Sequence, residues 1–340
     1  METTTIDTHD ADTAAELLAL HRAAHDADQP DNPGPCGVAF PVNLRHPRPG
    51  ADIVHRVVRR DGVIVGHAEV YLPTMDNLHF AGAEITVHPG HRRRGIGRAL
   101  FEAAVAIAEG AGRRSLSIGT IAGWEDGPAR SEAGRHFLTA MGASLALTEV
   151  HRRAPVDYLD PAEEERMTAE ALAASEGYET IAWTGVMPRE LLEPVARLDS
   201  TFLAEAPIGE LDLEPEKIDE QRMRDNQEAT LARGIFCCGV VARPIGSTEI
   251  VANTVIGVKT EPGDVADQWI TLVSPKHRGH KLGMRVKLEN HRQLRAARPE
   301  VKTVGTGNAD VNAHMIAINE ALGFRTVDAW YEYQITLPRG

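Results

Sequence analysis

The sequence predicts a mixed α/β protein built as two tandem units, and three observations predict it. An eleven-residue segment, Val87-His88-Pro89-Gly90-His91-Arg92-Arg93-Arg94-Gly95-Ile96-Gly97, recurs 186 positions later as Val273-Ser274-Pro275-Lys276-His277-Arg278-Gly279-His280-Lys281-Leu282-Gly283, with five identities. Each copy follows a strand-like run and opens a helix-like one. The order of elements around each copy repeats too, which is the mark of an internal duplication. At 340 residues the chain accommodates two domains of about 150 residues each.

The first unit opens with a helical stretch over 12–24, apolar at Ala15, Leu17, Leu18 and Leu20. Residues 26–50 are rich in Pro, Gly, Asn and Asp and read as a long loop on the substrate side. The runs 53–59 and 63–71, joined by Arg60-Asp61-Gly62, make a hairpin. Strand 79–87 enters the first motif and helix 97–109 leaves it, closed by Gly110 and Gly112. Strand 115–120, a glycine-rich loop, helix 130–141 and strand 143–151 complete the unit.

Residues 154–178 read as a partly helical linker that starts its helix at Pro161, with Glu163-Glu164-Glu165 suited to the first turn. The predicted domains are therefore 1–153 and 179–340. In the second, strand 180–184 precedes helices 188–199 and 219–233, the former with Pro188 at its start. Strands 236–242 and 250–258 pair, and strand 268–273 enters the second motif. Helix 283–297, strand 303–306, helix 309–322 and strand 331–337 follow.

The composition, 42% hydrophobic and 25% charged, is that of a globular protein. A net charge of −13 disfavours nucleic acid and anionic membrane and suits a cationic amine. No apolar run reaches membrane-spanning length, and the acidic N-terminus lacks the order of a signal peptide, so a cytoplasmic location is expected. Three cysteines, Cys36 and the pair Cys237-Cys238, make no disulfide framework; neighbours on a strand face opposite ways, which argues against joint chelation. No histidine spacing fits a metal site, and no metal is expected.

A strand ending in a basic, glycine-containing turn that opens a helix aims free backbone N–H groups, at the positive end of the helix dipole, toward one spot. Phosphate or pyrophosphate fits that spot. Arg92-Arg93-Arg94 and Arg98 form either a solvated basic face or, beside the glycines, contacts to an anionic cofactor. A dinucleotide fingerprint does not fit, because Leu100 takes the place of its third glycine. No Gly-x-x-x-x-Gly-Lys-Ser/Thr occurs either.

Arg92-x-x-Gly95-x-Gly97 resembles the pyrophosphate loop of the GCN5-related N-acetyltransferase (GNAT) family, in the tandem form found in actinobacteria. The second copy departs from it, with Lys281 at the first glycine position. The resemblance spans nearly the whole chain. It implies that each unit is a mixed, mostly antiparallel sheet flanked by helices, and that the co-substrate is acetyl-CoA. Amides of Arg93, Arg94, Gly95, Ile96, Gly97 and Arg98 would then hold the pyrophosphate, with Arg92 beside them and the backbone near Val87 serving the pantetheine arm. Val273, Arg278, Gly279, His280, Lys281, Leu282 and Gly283 are the second unit's equivalents. At Lys281 a left-handed backbone would cost ~1–2 kcal/mol, which phosphate contact by its ammonium would offset in part.

Asn308 and Asn312 either line CoA, as the resemblance implies, or cap a helix. Asn319 stands where the family carries its thiolate-protonating tyrosine, and Leu138 fills that slot in the first unit. Glu84 and Asp267 are candidate bases, unless each is an ordinary surface carboxylate of its strand. The implied activity is direct transfer of an acetyl group to the primary amine of a small molecule. The alternative is an acyl-CoA-binding protein without transferase activity. The resemblance places the chemistry in the second unit, while the complete glycine loop is in the first. The amine and the oligomeric state are not legible in the sequence.

Overall fold

The computed structural model describes residues 1–46 and 49–338. Helix α1 (Ala11–Asp28) begins at Asp10, whose carboxylate accepts the Thr13 N–H, a standard N-terminal cap. A short helix α2 (Ala39–Arg45) lies inside the segment expected to be loop. Strands β1 (Ala51–Arg60) and β2 (Val63–Pro73) form the expected hairpin, with Asp61 and Gly62 at φ 51° and 83° as a two-residue primed turn requires. Next come β3 (Phe80–Val87), a 3-10 turn at Pro89–His91, α3 (Ile96–Gly110), β4 (Ser115–Ala122), α4 (Ala133–Ala140) and β5 (Ser144–Pro155). The predicted linker helix is α5 (Pro161–Ala174), capped by Asp160.

The second half runs β6 (Tyr178–Thr184), α6 (Arg189–Asp199), α7 (Phe202–Glu205), α8 (Glu220–Ala232), β7 (Phe236–Pro244), β8 (Ala252–Val258) and β9 (Val265–Val273). A 3-10 turn at Pro275–His277 leads into α9 (Leu282–Ala297), followed by β10 (Thr303–Ala309), α10 (Ala313–Ala321) and β11 (Arg325–Thr336).

The chain divides into two compact units that are not contiguous in sequence. The first comprises Met1–Val150, Ile208–Glu214 and Asp328–Gly340; the second, His151–Pro207 and Pro215–Val327. The division thus differs from contiguous domains 1–153 and 179–340. Helix α5 belongs to the second unit, and the end of the chain belongs to the first. The physical reason is strand pairing: β11 runs antiparallel to β4 from Ala329↔Ala122 to Thr336↔Ser115. Its Tyr333, with Leu337 beyond it, is buried with Val70, Phe101, Leu116 and Leu138.

In the first unit the strand order is β1-β2-β3-β4-β11, antiparallel except for the parallel pair β3/β4. Its α3 packs Ile96 and Leu100 on Val58, Val65 and Ala68. Each side chain so buried contributes ~1.5–3 kcal/mol. In the second unit the order is β10-β9-β8-β7-β6, with the end of β5 from His151 onward next to β10, β9/β10 parallel and β6 to β9 antiparallel. Cys238 packs beside Ile256 and Leu294, whereas Cys237 packs beside Val195 and Leu272, the two faces that strand alternation dictates.

Candidate active site

In the first unit the motif folds as a turn with two left-handed residues, Arg93 at φ 62° and Gly95 at φ 80°, the latter capping α3. The Gly95 carbonyl accepts the Ala99 N–H, so the amides of Gly95, Ile96, Gly97 and Arg98 precede the first helical hydrogen bond. Among the described residues no intrachain partner takes these amides or those of Arg93 and Arg94. The side chains of Arg93, Arg94 and Arg98 are exposed. Arg92 behaves differently. Its guanidinium donates to both oxygens of Asp28 on α1, at 2.7 and 2.6 Å, and to the Val87 carbonyl at 3.2 Å. Its side chain therefore pins the loop to α1, and its own amide donates to Pro89.

The loop stands at the mouth of an opening in the sheet. Strands β3 and β4 pair from Phe80↔Ser115 to Ala83↔Ile118, and the recorded pairing stops there although both strands continue. From Glu84 to Val87, β3 keeps its partner on the β2 side and has none on the β4 side. A splayed parallel pair leaves backbone edges free, as an extended ligand inserted between strands requires.

One row of side chains crosses the unit at the start of this opening. His55 on β1 opposes Glu69 on β2, and Glu69 opposes Glu84 on β3. Beyond the divergence, Glu332 of β11 opposes Gly119 of β4. Glu332 accepts from the Ser117 hydroxyl at 2.6 Å and from the Trp330 indole at 2.7 Å. Burial pushes the Glu69 carboxyl up to about 7, and the neighbouring Glu84 adds to the rise. Burial also raises Glu84, with Glu332 adding to it. Glu84 nevertheless keeps open surface. It is a group on a concave wall, crowded by protein and open on one side. A carboxylate that is poised to take a proton has this environment.

The second unit repeats the loop with its glycine displaced. Gly279 at φ 87° and Lys281 at φ 48° hold the two left-handed positions, matching Arg93 and Gly95 in reverse. The amides of Gly279, His280, Lys281, Leu282 and Gly283 are placed as in the first unit, because the Lys281 carbonyl takes the Arg285 N–H. The cations here are already paired. Arg278 donates to Glu205 at 2.7 Å, and the Lys281 ammonium lies 3.0 Å from Glu170 rather than standing free for phosphate.

Pairing between β9 and β10 also stops early, after Gly305↔Asp267. Asp267 lies at that paired end, opposite Gly257, with Lys259 Nζ at 3.4 Å. Val87 pairs with Gly66 as Val273 pairs with Ala252, so the position matching Glu84 is Ile270, opposite Val255. The carboxylate predicted for this unit is thus off the opening, and an isoleucine stands in its place.

Asn319 is fully buried. Its carbonyl accepts from Lys287 Nζ at 2.8 Å, and its amide donates to Asn308 at 2.6 Å. It serves an interior network, not an open cleft, and both its bonds spend the polar group that a proton donor would need. Burial lowers Lys287 to about 7. Asn312 caps α10 by accepting the Met315 N–H, the capping alternative. Sequence reasoning missed Glu69 and Glu332, and only the strand register brings them beside Glu84. The alternation in β2 that puts Glu69 on the face opposite Ala68 and Val70 was the available signal. Among the described residues no three His, Cys, Asp or Glu side chains are grouped to hold a metal, and no helix is long and apolar enough to cross a membrane.

Comparison with known proteins bears on the family and the fold. Residues 18–125 match the Acetyltransferase (GNAT) family. A mycothiol acetyltransferase of Salinispora arenicola is 40% identical over 108 residues, 32% of this chain and 33% of that protein. One from Kineococcus radiotolerans is 38% identical over 114 residues, 33% of each chain. The matched stretch therefore spans about a third of the length of these relatives. A solved tandem GNAT protein from the clavulanic acid biosynthesis pathway is 28% identical, with a TM-score of 0.82 over 100% of this chain and 99% of that one. A GCN5-related N-acetyltransferase from Sphaerobacter thermophilus, at 15% identity and TM-score 0.64, shares the fold. The chain carries a GNAT-family domain within residues 18–125, in a tandem GNAT fold that extends over its whole length.

Proposed function

We propose that this protein is an acetyl-CoA-dependent N-acetyltransferase acting on a primary amine of a small molecule, and that the first unit does the chemistry. The observation that carries the proposal is the coincidence of six unpartnered loop amides, Arg93 to Arg98, with the β3/β4 divergence that begins at Glu84. The residues fit the co-substrate. The amides and exposed arginines suit its diphosphate, and the unpaired β3 edge suits an extended amide-bearing arm. When bound, acetyl-CoA supplies an activated acetyl group as a thioester.

The chain's own contribution is to position and deprotonate the acceptor. An ammonium is attracted to the row Glu69, Glu84 and Glu332, and it reacts only after losing a proton. Glu84, raised by burial and open on one side, is the group we assign to take that proton, with Glu69 behind it. The second unit lacks this arrangement, since Ile270 replaces the base and both loop cations are paired. We therefore infer that it is a structural partner. The proposal extends to the coarser features of the relatives: names such as mycothiol acetyltransferase are consistent with small-molecule amine acceptors. A cytoplasmic site of action is part of the same proposal.

The test is free-thiol release from acetyl-CoA with a panel of primary amines, beside thermal stabilisation by CoA. Amine-dependent thiol release is expected. Stabilisation by CoA with no release across the panel would overturn the transferase reading in favour of a binding protein.

A further inference from the structure

The floor of the candidate site carries an aromatic ring besides its carboxylates. On β11, Trp330 and Glu332 stand two residues apart and so share one face of the sheet. Glu332 opposes Gly119 of β4. One step beyond the last recorded β3/β4 pair, Ala83↔Ile118, Glu84 is level with that same glycine. Ala83, Ile118 and Tyr333 point into the core with Phe101 of α3, so their neighbours Glu84, Gly119 and Glu332 face the other way.

A side chain at position 119 would stand between the two carboxylates. Glycine leaves that space open and the Trp330 indole takes it: a Cβ at Gly119 would collide with the indole Nε1, Cε2 and Cζ2. The ring is therefore set between the positions of Glu84 and Glu332, half-buried and with open surface. Its Nε1 donates to Glu332 Oε1 at 2.7 Å, and the Ser117 hydroxyl donates to Oε2 at 2.6 Å. A carboxylate has about four acceptor sites, so Glu332 has room for further donors.

We propose that Trp330 and Glu332 form a subsite for a second cationic group of the acceptor, which makes the favoured substrate a short diamine. The inference rests on the acetyltransferase reading and names the substrate class of that site. A cation is attracted to an aromatic ring by the ring quadrupole, and a carboxylate beside the ring strengthens the attraction. The backbones at Glu84 and Glu332 flank β4, about 10 Å apart by two strand spacings, and both side chains reach into the interval. Two ammonium groups joined by a short alkyl chain fit that interval. One meets Glu84 and gives up its proton. The other lies against Trp330 and Glu332, which favour its charged form, so it is held and does not react.

The protein's own nearby cation does not fill the subsite. Arg130, on the loop after β4, donates from Nε to Asp328 at 3.0 Å and from Nη2 to Asp31 at 2.8 Å. Asp328 lies two residues before Trp330 on the same face, so the buried Arg130 guanidinium neutralises that carboxylate and leaves Glu332 as the anion beside the ring.

The experiment measures kcat/KM of the full-length protein for diaminobutane, butylamine and γ-aminobutyrate, which share a short chain and differ in a cationic, apolar or anionic distal group. The subsite predicts diaminobutane at least ~10-fold above butylamine, with γ-aminobutyrate lowest. Trp330→Leu and Glu332→Gln should each reduce the diamine-to-monoamine ratio to the statistical factor of two equivalent amines, with CoA affinity by calorimetry kept. Trp330→Phe, which keeps an aromatic ring, should retain part of the preference. The ratio is the deciding readout, because a merely structural loss lowers both amines alike, and so does any change at Glu84 caused by removing the Glu332 charge. A parent that prefers diaminobutane by no more than the statistical factor would overturn the subsite, as would variants that lower both amines in proportion. If Trp330→Leu does not fold, Glu332→Gln decides alone. A parent that acetylates other primary amines but not diaminobutane also overturns the subsite and leaves the transferase reading standing. A parent that acetylates no amine marks the failure of that reading, and the subsite falls with it.

Discussion

Glu84 and Glu69 show how one register position becomes chemistry. Neither is unusual in sequence, and each alone would be a strand carboxylate facing solvent. Burial in a wall that crowds out water raises both, with Glu84 adding to the rise at Glu69 and Glu332 to that at Glu84. Glu84→Gln is expected to lower kcat by ~10²-fold while leaving CoA affinity unchanged, read by steady-state kinetics and calorimetry. Because Glu84 works deprotonated and burial raises it, activity of the parent should fall with decreasing pH at a point above the ordinary carboxylate range. The shift at Glu69 has a stability consequence of defined sign. The folded state holds a proton on Glu69 between 4.5 and about 7 that the unfolded state has released, so stability is full below that window and is lost as pH rises through it. Glu69→Gln should thus raise the melting temperature at pH 8 and leave it unchanged at pH 4.

At the scale of elements, the motif loops were the most legible part of the sequence. A strand, a basic turn and a glycine before a helix fix where free amides point, and both loops fold as read. Lys281 is left-handed, as feared for that position, yet its ammonium serves Glu170. What the sequence did not disclose was tertiary pairing. Arg92 looks like its neighbours Arg93 and Arg94 in a linear pattern, but only Arg92 reaches Asp28, 64 positions earlier. Asn319 fits a family slot by spacing, and its burial against Lys287 depends on the packing of α9. Helices α2 and α7, of seven and four residues, are too short for periodicity to reveal. The Arg92–Asp28 fork is half-buried and bidentate, and it sets the loop against α1. Asp28→Ala should weaken CoA binding several-fold by freeing the loop, with a modest stability loss of ~1 kcal/mol by denaturant titration.

At the scale of the molecule, the chain is two units whose sequences interleave. The tandem architecture was legible from the repeated motif, whereas the exchange of terminal strands was not, because β11 carries no local signal of which sheet it joins. Its pairing with β4 makes the end of the chain part of the first unit's core, through Tyr333, Leu337 and the Ser117–Glu332 hydrogen bond. Deleting residues 328–340 should therefore destabilise the N-terminal unit, seen as loss of hydrogen-exchange protection in β4 and α3. Protection confined to losses around α10 would contradict the pairing. The central claim is that the loop at Arg93–Arg98, and not its downstream twin, cradles the diphosphate of CoA. Titration calorimetry of CoA into the parent, Gly97→Leu and Gly283→Leu tests it most directly. The account predicts one site per chain, weakened at least ~10-fold by Gly97→Leu and kept by Gly283→Leu; binding that survives Gly97→Leu and is lost in Gly283→Leu would contradict it.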